Sequence, residues 1–220
     1  MPTLGIDVSH YQGLIDWGAV ERSSVRFVFI KATEGGVVID PRFSENWNGL
    51  GATSLLRGAY HFAQPKGDPE AQAEHFAAVV GARAMRMLPP VLDLETDGGL
   101  APAAVIDWVR AFVSKAEMLF RRELIIYTGR LWRETLGDPV IPELGTRMLW
   151  TARYGDHQPM VPRTWARWDF WQFTDGVSGE VQIIPGIKGG HCDCDRFRGD
   201  LAELQGLALP QPIEIPPLVT

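Results

Sequence analysis

The chain is 220 residues long, 45% hydrophobic and 22% charged, a composition able to bury one large core. Its formal net charge of -6 argues against a partner held by phosphate contacts, and the basic stripe on which nucleic-acid binders depend does not appear in the sequence. No run approaches the roughly 18 consecutive apolar residues of a membrane-spanning helix, and the N-terminal MPTLGIDVSHYQG lacks the charged-then-apolar layout of a secretory signal. We therefore expect no nucleic-acid or membrane partner; a monomer is expected as well.

In chain order, eight short runs rich in β-branched and aromatic residues read as buried strands: LGIDVS, VRFVFIKAT, LRGAYHFA, PPVLDLE, LIIYTG, RMLWTAR, WDFWQFT and HCDCDRF. Between the early runs lie helical segments, PRFSENWNGLGAT, DPEAQAEHFAAVVGA and the long APAAVIDWVRAFVSKAEMLFRRE. In the last of these Val105, Trp108, Val109, Phe112 and Ala116 form one apolar stripe. Strand, helix, strand is the rhythm of an α/β fold. Polar or aromatic residues mark the ends of the runs: Asp7, Lys31, Tyr60, Asp93, Tyr127, Trp150, Gln172 and Asp195. The intervals between them are shortest from Tyr127 onward, too short for a full unit of about 30 residues. The expectation is an irregular TIM-like β/α barrel of about eight strands, with reduced helices in its C-terminal part. One domain spans residues 1–207, and residues 208–220, with Pro210, Pro212, Pro216 and Pro217, form an extended tail.

The segment Leu88-Pro-Pro-Val-Leu-Asp-Leu-Glu95 places two carboxylates at i and i+2 on an otherwise apolar strand, so both face one way. At a barrel mouth each would raise the other's pKa, which keeps one carboxylic acid protonated for general-acid work, as glycosidic cleavage requires. The competing explanation is a strand cap or an ion pair, but acids within an apolar strand are costly unless paired or used. Asp7 on the first run and Asp195 on the last are expected to meet across the barrel seam and to face the same cavity. Aromatic residues recur at that level: Tyr60, Phe62, Tyr127, Trp150, Tyr154 and Trp171. Together with the polar Gln172 and Lys31 they would suit the flat apolar faces and hydroxyl edges of sugar rings.

Other chemistries lack their reagents. His61, within GAYHFAQ, reads as a histidine hydrogen-bonded to its neighbours in the barrel, and neither HExxH nor GxSxG occurs. Cys192 and Cys194 read as free thiols, since an i, i+2 bridge on a strand is strained. A metal role with His191 would need a second ligand pair, which does not follow, so no metal and no cofactor are expected.

Taken together, GIDVSHYQGLIDW, FIKATEG, RGAYHFA, the DLE at 93–95, IIYTG, LWTARYG, WQFT and DCDRF resemble glycoside hydrolase family 25, the muramidases, in order and in spacing over most of the chain. The resemblance implies hydrolysis of the β-1,4 bond between N-acetylmuramic acid and N-acetylglucosamine of peptidoglycan on an irregular β/α barrel. It also implies Glu95 as proton donor, with Asp93, Asp7 and Asp195 as the acids around it, and Tyr60, Tyr127, Trp150 and Gln172 along the groove. Cys192 and Cys194 depart from the family pattern, as does the segment from His157 to Trp168. The i, i+2 spacing of Asp93 and Glu95 favours a substrate-assisted route over two carboxylates on opposite faces of the sugar; a direct inverting displacement, with Asp93 or Asp195 positioning water, competes. A catalytically silent wall-binding module and a chitinase-like glycosidase are the alternative functions. Without a visible export signal, the chain is expected to act as an endolysin-like phage lysis enzyme released to the wall, or as a bacterial enzyme exported by another route.

Overall fold

The computed structural model describes residues 2–84, 87–155 and 157–208. In chain order the elements are β1 (Thr3–Val8), α1 (Trp17–Glu21), β2 (Phe27–Glu34), β3 (Val38–Ile39), α2 (Phe43–Leu50), β4 (Leu56–Phe62), α3 (Pro69–Val80), β5 (Val91–Asp93), α4 (Pro102–Phe120), β6 (Ile125–Tyr127), β7 (Met148–Ala152), β8 (Phe170–Thr174), β9 (Asp193–Phe197) and α5 (Leu201–Ala208). The sheet runs β1-β9-β8-β7-β6-β5-β4-β2 and closes through a parallel β1–β2 pairing. Eight strands form the barrel, and the two-residue β3 folds back on the end of β2 as a hairpin. Seven barrel strands are parallel to their like-directed neighbours. The eighth, β9, is antiparallel to both β1 and β8.

The eight expected runs are the eight barrel strands, and the stripe on α4 is its buried face, joined there by Val113. As the shortened intervals require, no full helix follows β6, β7 or β8 among the described residues; the one helical element between β6 and β7 is a single π turn at Leu131–Thr135. Three elements were not legible as separate units: the short α1, the β3 hairpin and α5. Ala208, assigned to the tail, is the last residue of α5, and the rest of the expected tail lies outside the described residues.

Each barrel strand is apolar on both faces, because one face lines the barrel and the other meets the helices. On β2, Phe27 and Phe29 point inward, to a cluster with Phe170, Ile125, Trp150 and Phe197, while Val28 and Ile30 point outward to the cluster holding Phe76, Val109 and Phe112. Glycine makes the inner packing possible. A Cβ on Gly5 would lie 2.2 Å from the Phe27 ring, and one on Gly58 would lie 2.5 Å from Phe29. The bottom is closed by α5, whose Leu204 and Ala208 join the inner cluster after β9 has run down past Phe197. With the lower barrel filled, polar inward residues have room only at the top, where the parallel strands end.

Candidate active site

At that top end, Asp7 from β1, Lys31 from β2, Tyr60 and Phe62 from β4, Asp93 from β5, Tyr127 from β6, Trp150 from β7, Gln172 from β8 and Asp193 from β9 line a cleft of about 330 Å³. Glu95 and Tyr154, just past their strands, complete it, together with Ser9, Tyr11 and Gln12 of the loop after β1. Its floor is aromatic. Trp150 stacks on Phe29 at 4.8 Å between centroids and meets the Tyr127 ring edge-on at the same separation.

The position of the two central acids follows from strand pairing. Asp93 pairs with Phe62 on one side and Tyr127 on the other, and the Leu94 amide still donates to the Tyr127 carbonyl at 2.9 Å. The extended backbone therefore continues one residue beyond β5. Leu94 turns outward to the helix-side core, and Asp93 and Glu95 both line the cleft. One oxygen of Asp93 is buried with no hydrogen-bond partner among the described residues. Burial, then the charges of Glu95 and Asp7, push the Asp93 carboxyl well above the usual range, with Lys31 opposing. Solvent reaches part of the Glu95 side chain, yet the surrounding protein still desolvates its carboxyl enough to raise it, against the pull of Asp93 and Lys31. Two adjacent acids that resist simultaneous ionisation retain a proton above the pH at which an isolated carboxyl loses it.

Around this pair runs a hydrogen-bonded belt. Tyr127 Oη donates to Gln172 Oε1 at 3.0 Å, and Gln172 Nε2 donates to Asp7 Oδ2 at 2.8 Å. Tyr154 Oη lies 3.3 Å from Gln172 Oε1 and 3.4 Å from Asp193 Oδ1. Lys31 Nζ donates to Glu34 Oε2 at 2.6 Å and sits over the Phe62 ring. Burial, then the charges of Asp193 and Asp195, hold the Asp7 carboxyl well above its usual range, and Gln172 opposes them. Asp193 is raised to about 6 by burial and then by Asp175, while the Tyr154 hydroxyl lowers it.

The structure corrects the expected placement of Asp195. Because β9 runs antiparallel, Asp193 pairs with Asp7 at the mouth and Asp195 pairs with Gly5 one layer below. Asp195 is fully buried, accepts from Trp150 Nε1 at 2.8 Å and does not line the cleft. The residue missed was Asp193; only the direction of the last strand distinguishes the two. Trp171 also departs from expectation. It faces the helix-side core, with its Nε1 donating to the Arg153 carbonyl at 2.8 Å, because the inward places on β8 go to Phe170 and Gln172. His61 is fully buried outside the barrel wall, between Thr33 Oγ1 at 2.8 Å and Gln72 Oε1 at 3.1 Å, and burial lowers its pKa to about 4. Cys192 and Cys194 are buried free thiols, and His191 Nδ1 turns to the Gly176 carbonyl at 2.9 Å.

A second hollow adjoins the first. It is lined by Leu94, Glu95, Tyr127 and the segment after β6 from Thr128 to Leu131, with Glu134, Thr135 and Ala152. Glu95 and Tyr127 belong to both hollows, whereas Asp7, Asp93, Gln172 and Asp193 line only the first.

The sequence model of glycosyl hydrolases family 25 matches residues 6–181. The chain belongs to this family. Lysozyme M1 of Streptomyces globisporus is 36% identical over 213 residues, which cover 93% of this chain and 70% of that protein. An N,O-diacetylmuramidase of Chalaropsis is 32% identical over 187 residues, covering 79% and 89% respectively. The crystal structure of the bacterial lysozyme from Streptomyces coelicolor superposes with a TM-score of 0.85 at 33% identity, over 94% of this chain and 97% of that one. Family 25 membership makes the chain a glycoside hydrolase and accounts for its closed barrel with few helices.

Proposed function

We propose that this chain is a 1,4-β-N-acetylmuramidase, hydrolysing the bond between N-acetylmuramic acid and N-acetylglucosamine of peptidoglycan, with Glu95 as proton donor. The observation that carries the reading is the position of Glu95. Its raised carboxyl stands where two hollows join, beside Asp93 in the deeper one. A general acid for glycoside cleavage must reach the oxygen between two sugars, and no other carboxyl lines both spaces.

The muramic acid ring occupies the acid-lined hollow, over Trp150 and Tyr127, with Tyr60, Lys31 and Tyr154 on its walls. Its acetamido oxygen bonds to the anomeric carbon as the glycosidic C–O bond breaks, and the departing oxygen takes the Glu95 proton. Asp93 accepts the acetamido N–H and stabilises the positive charge that develops there, while Tyr127 orients the group. Water then attacks the anomeric carbon, gives a proton to the Glu95 carboxylate and restores the acetamide. Asp193 supplies negative field near the oxocarbenium-like charge, and Asp7, held by Gln172, lines the same wall as a hydrogen-bonding group.

Clearing of purified cell walls, with mass spectrometry of the fragments, tests the activity. Muramic acid at the new reducing end is the expected product. Glucosamine ends would favour a chitinase-like specificity, and no clearing a silent binding module. The anomer first released tests the route: retention is expected, and an inverted product would rule it out.

A further inference from the structure

We propose that Tyr11 is a stacking platform for the N-acetylglucosamine that precedes the reacting muramic acid, and so sets how much glycan the enzyme must grip. This inference rests on the muramidase reading. Tyr11 lines the acid cleft, yet it is 82% exposed, the most solvent-open Phe, Tyr or Trp among the described residues. An exposed apolar ring contributes little to the free protein, whereas one face of a pyranose laid on it would be desolvated together with it.

The ring is held in place by its backbone. His10–Gln12 form a 3₁₀ turn capped from both directions: the Tyr11 amide donates to Ser9 Oγ at 3.3 Å, and the Ser9 amide donates to Gln12 Oε1 at 2.8 Å. The neighbouring His10 is tied to the buried Asp40, whose Oδ2 accepts from the His10 amide at 3.1 Å and lies 2.8 Å from Nδ1. The His10 ring also lies against Tyr11, with centroids 4.1 Å apart. A side chain mounted on so constrained a turn loses little freedom when a sugar covers it.

Direction along the groove comes from Glu95. A proton donor lies between the reacting sugar and its leaving group, so the hollow that shares Glu95 with the acid cleft is the leaving-group side. That second hollow is built chiefly on the segment after β6. In the ring order β1-β2-β4-β5-β6-β7-β8-β9, β6 is four strands from β1 by either path, so the loop after β1 stands diametrically across the mouth. Tyr11 therefore occupies the end of the groove away from the leaving group, where the preceding sugar of the strand must lie.

Two peptide-free oligosaccharides separate this role from a merely structural one. The tetrasaccharide N-acetylglucosamine–muramic acid–N-acetylglucosamine–muramic acid has one bond cleavable by a muramidase and a sugar for Tyr11. Trimming the first residue with an exo-N-acetylglucosaminidase leaves a trisaccharide with the same bond and no such sugar. Tyr11→Ala is expected to raise KM for the tetrasaccharide roughly 3- to 10-fold, with kcat nearly unchanged and no effect on the trisaccharide, and Tyr11→Trp to restore the affinity. An equal loss on both substrates, or none on the tetrasaccharide, would overturn the platform. Wild-type enzyme that left both intact would remove the muramidase reading, and the platform with it.

Discussion

The barrel contains two acid-x-acid pairs, Asp93-Leu94-Glu95 on and after β5 and Asp193-Cys194-Asp195 on β9, with the same spacing and different outcomes. Both pairs face inward, with Leu94 and Cys194 turned to the outer core. Because β5 points toward the mouth, its second acid extends past the strand into the cleft and reaches the junction with the neighbouring hollow. On β9 the chain descends, so its second acid is carried beneath the cleft, level with Gly5, and is bonded to the Trp150 indole. Strand direction, rather than residue type or spacing, sorts the four carboxyls into three that can meet a ligand and one that cannot.

The largest effect expected from this contrast is at Glu95. Glu95→Gln keeps the shape and removes the proton, so wall clearing should fall about 10²- to 10⁴-fold with little change in Tm. Undiminished clearing by that variant would discredit the assignment. Next comes one acid from each pair: Asp93→Asn should lose roughly 10²-fold in kcat, whereas Asp195→Asn, buried below the ligand, should stay within about 10-fold. Similar losses in both would erase the distinction between the strands. Asp193→Asn sharpens it through stability. With its pKa raised to about 6, the ionised aspartate costs the folded state stability that is intact below about pH 4 and lost as pH rises to 6. The variant should thus melt a few degrees above wild type at pH 7 and match it near pH 4 in thermal scans. The smallest effect is expected for Lys31→Met. Lys31 lowers both Asp93 and Glu95, so its removal should carry the alkaline limb of the pH–activity profile upward, and a downward shift would contradict the charge balance described for the pair.

Much of this site was legible because period-two alternation is a local property. It placed Asp7, Lys31, Tyr60, Asp93, Tyr127, Trp150 and Gln172 at strand ends, and all seven line the cleft. The same alternation failed for Trp171, since a strand apolar on both faces does not reveal which face is inside. It failed again on β9, where sequence carries no sign of direction. The α5 plug escaped notice for a related reason: LAELQGLA is short and weakly patterned, and its purpose exists only beneath an open barrel end.

By itself the sequence determined the eight strands, the thinning of helices toward the C-terminus and the acid pair at 93 and 95, because strand length, turn chemistry and side-chain alternation act over a few residues. Tertiary structure alone decided that Asp193 rather than Asp195 meets the cleft, that Glu95 stands between two hollows, and that Tyr11, from the loop after β1, lines the same cleft. Those outcomes depend on register and closure among strands distant in the chain, and no local preference encodes them.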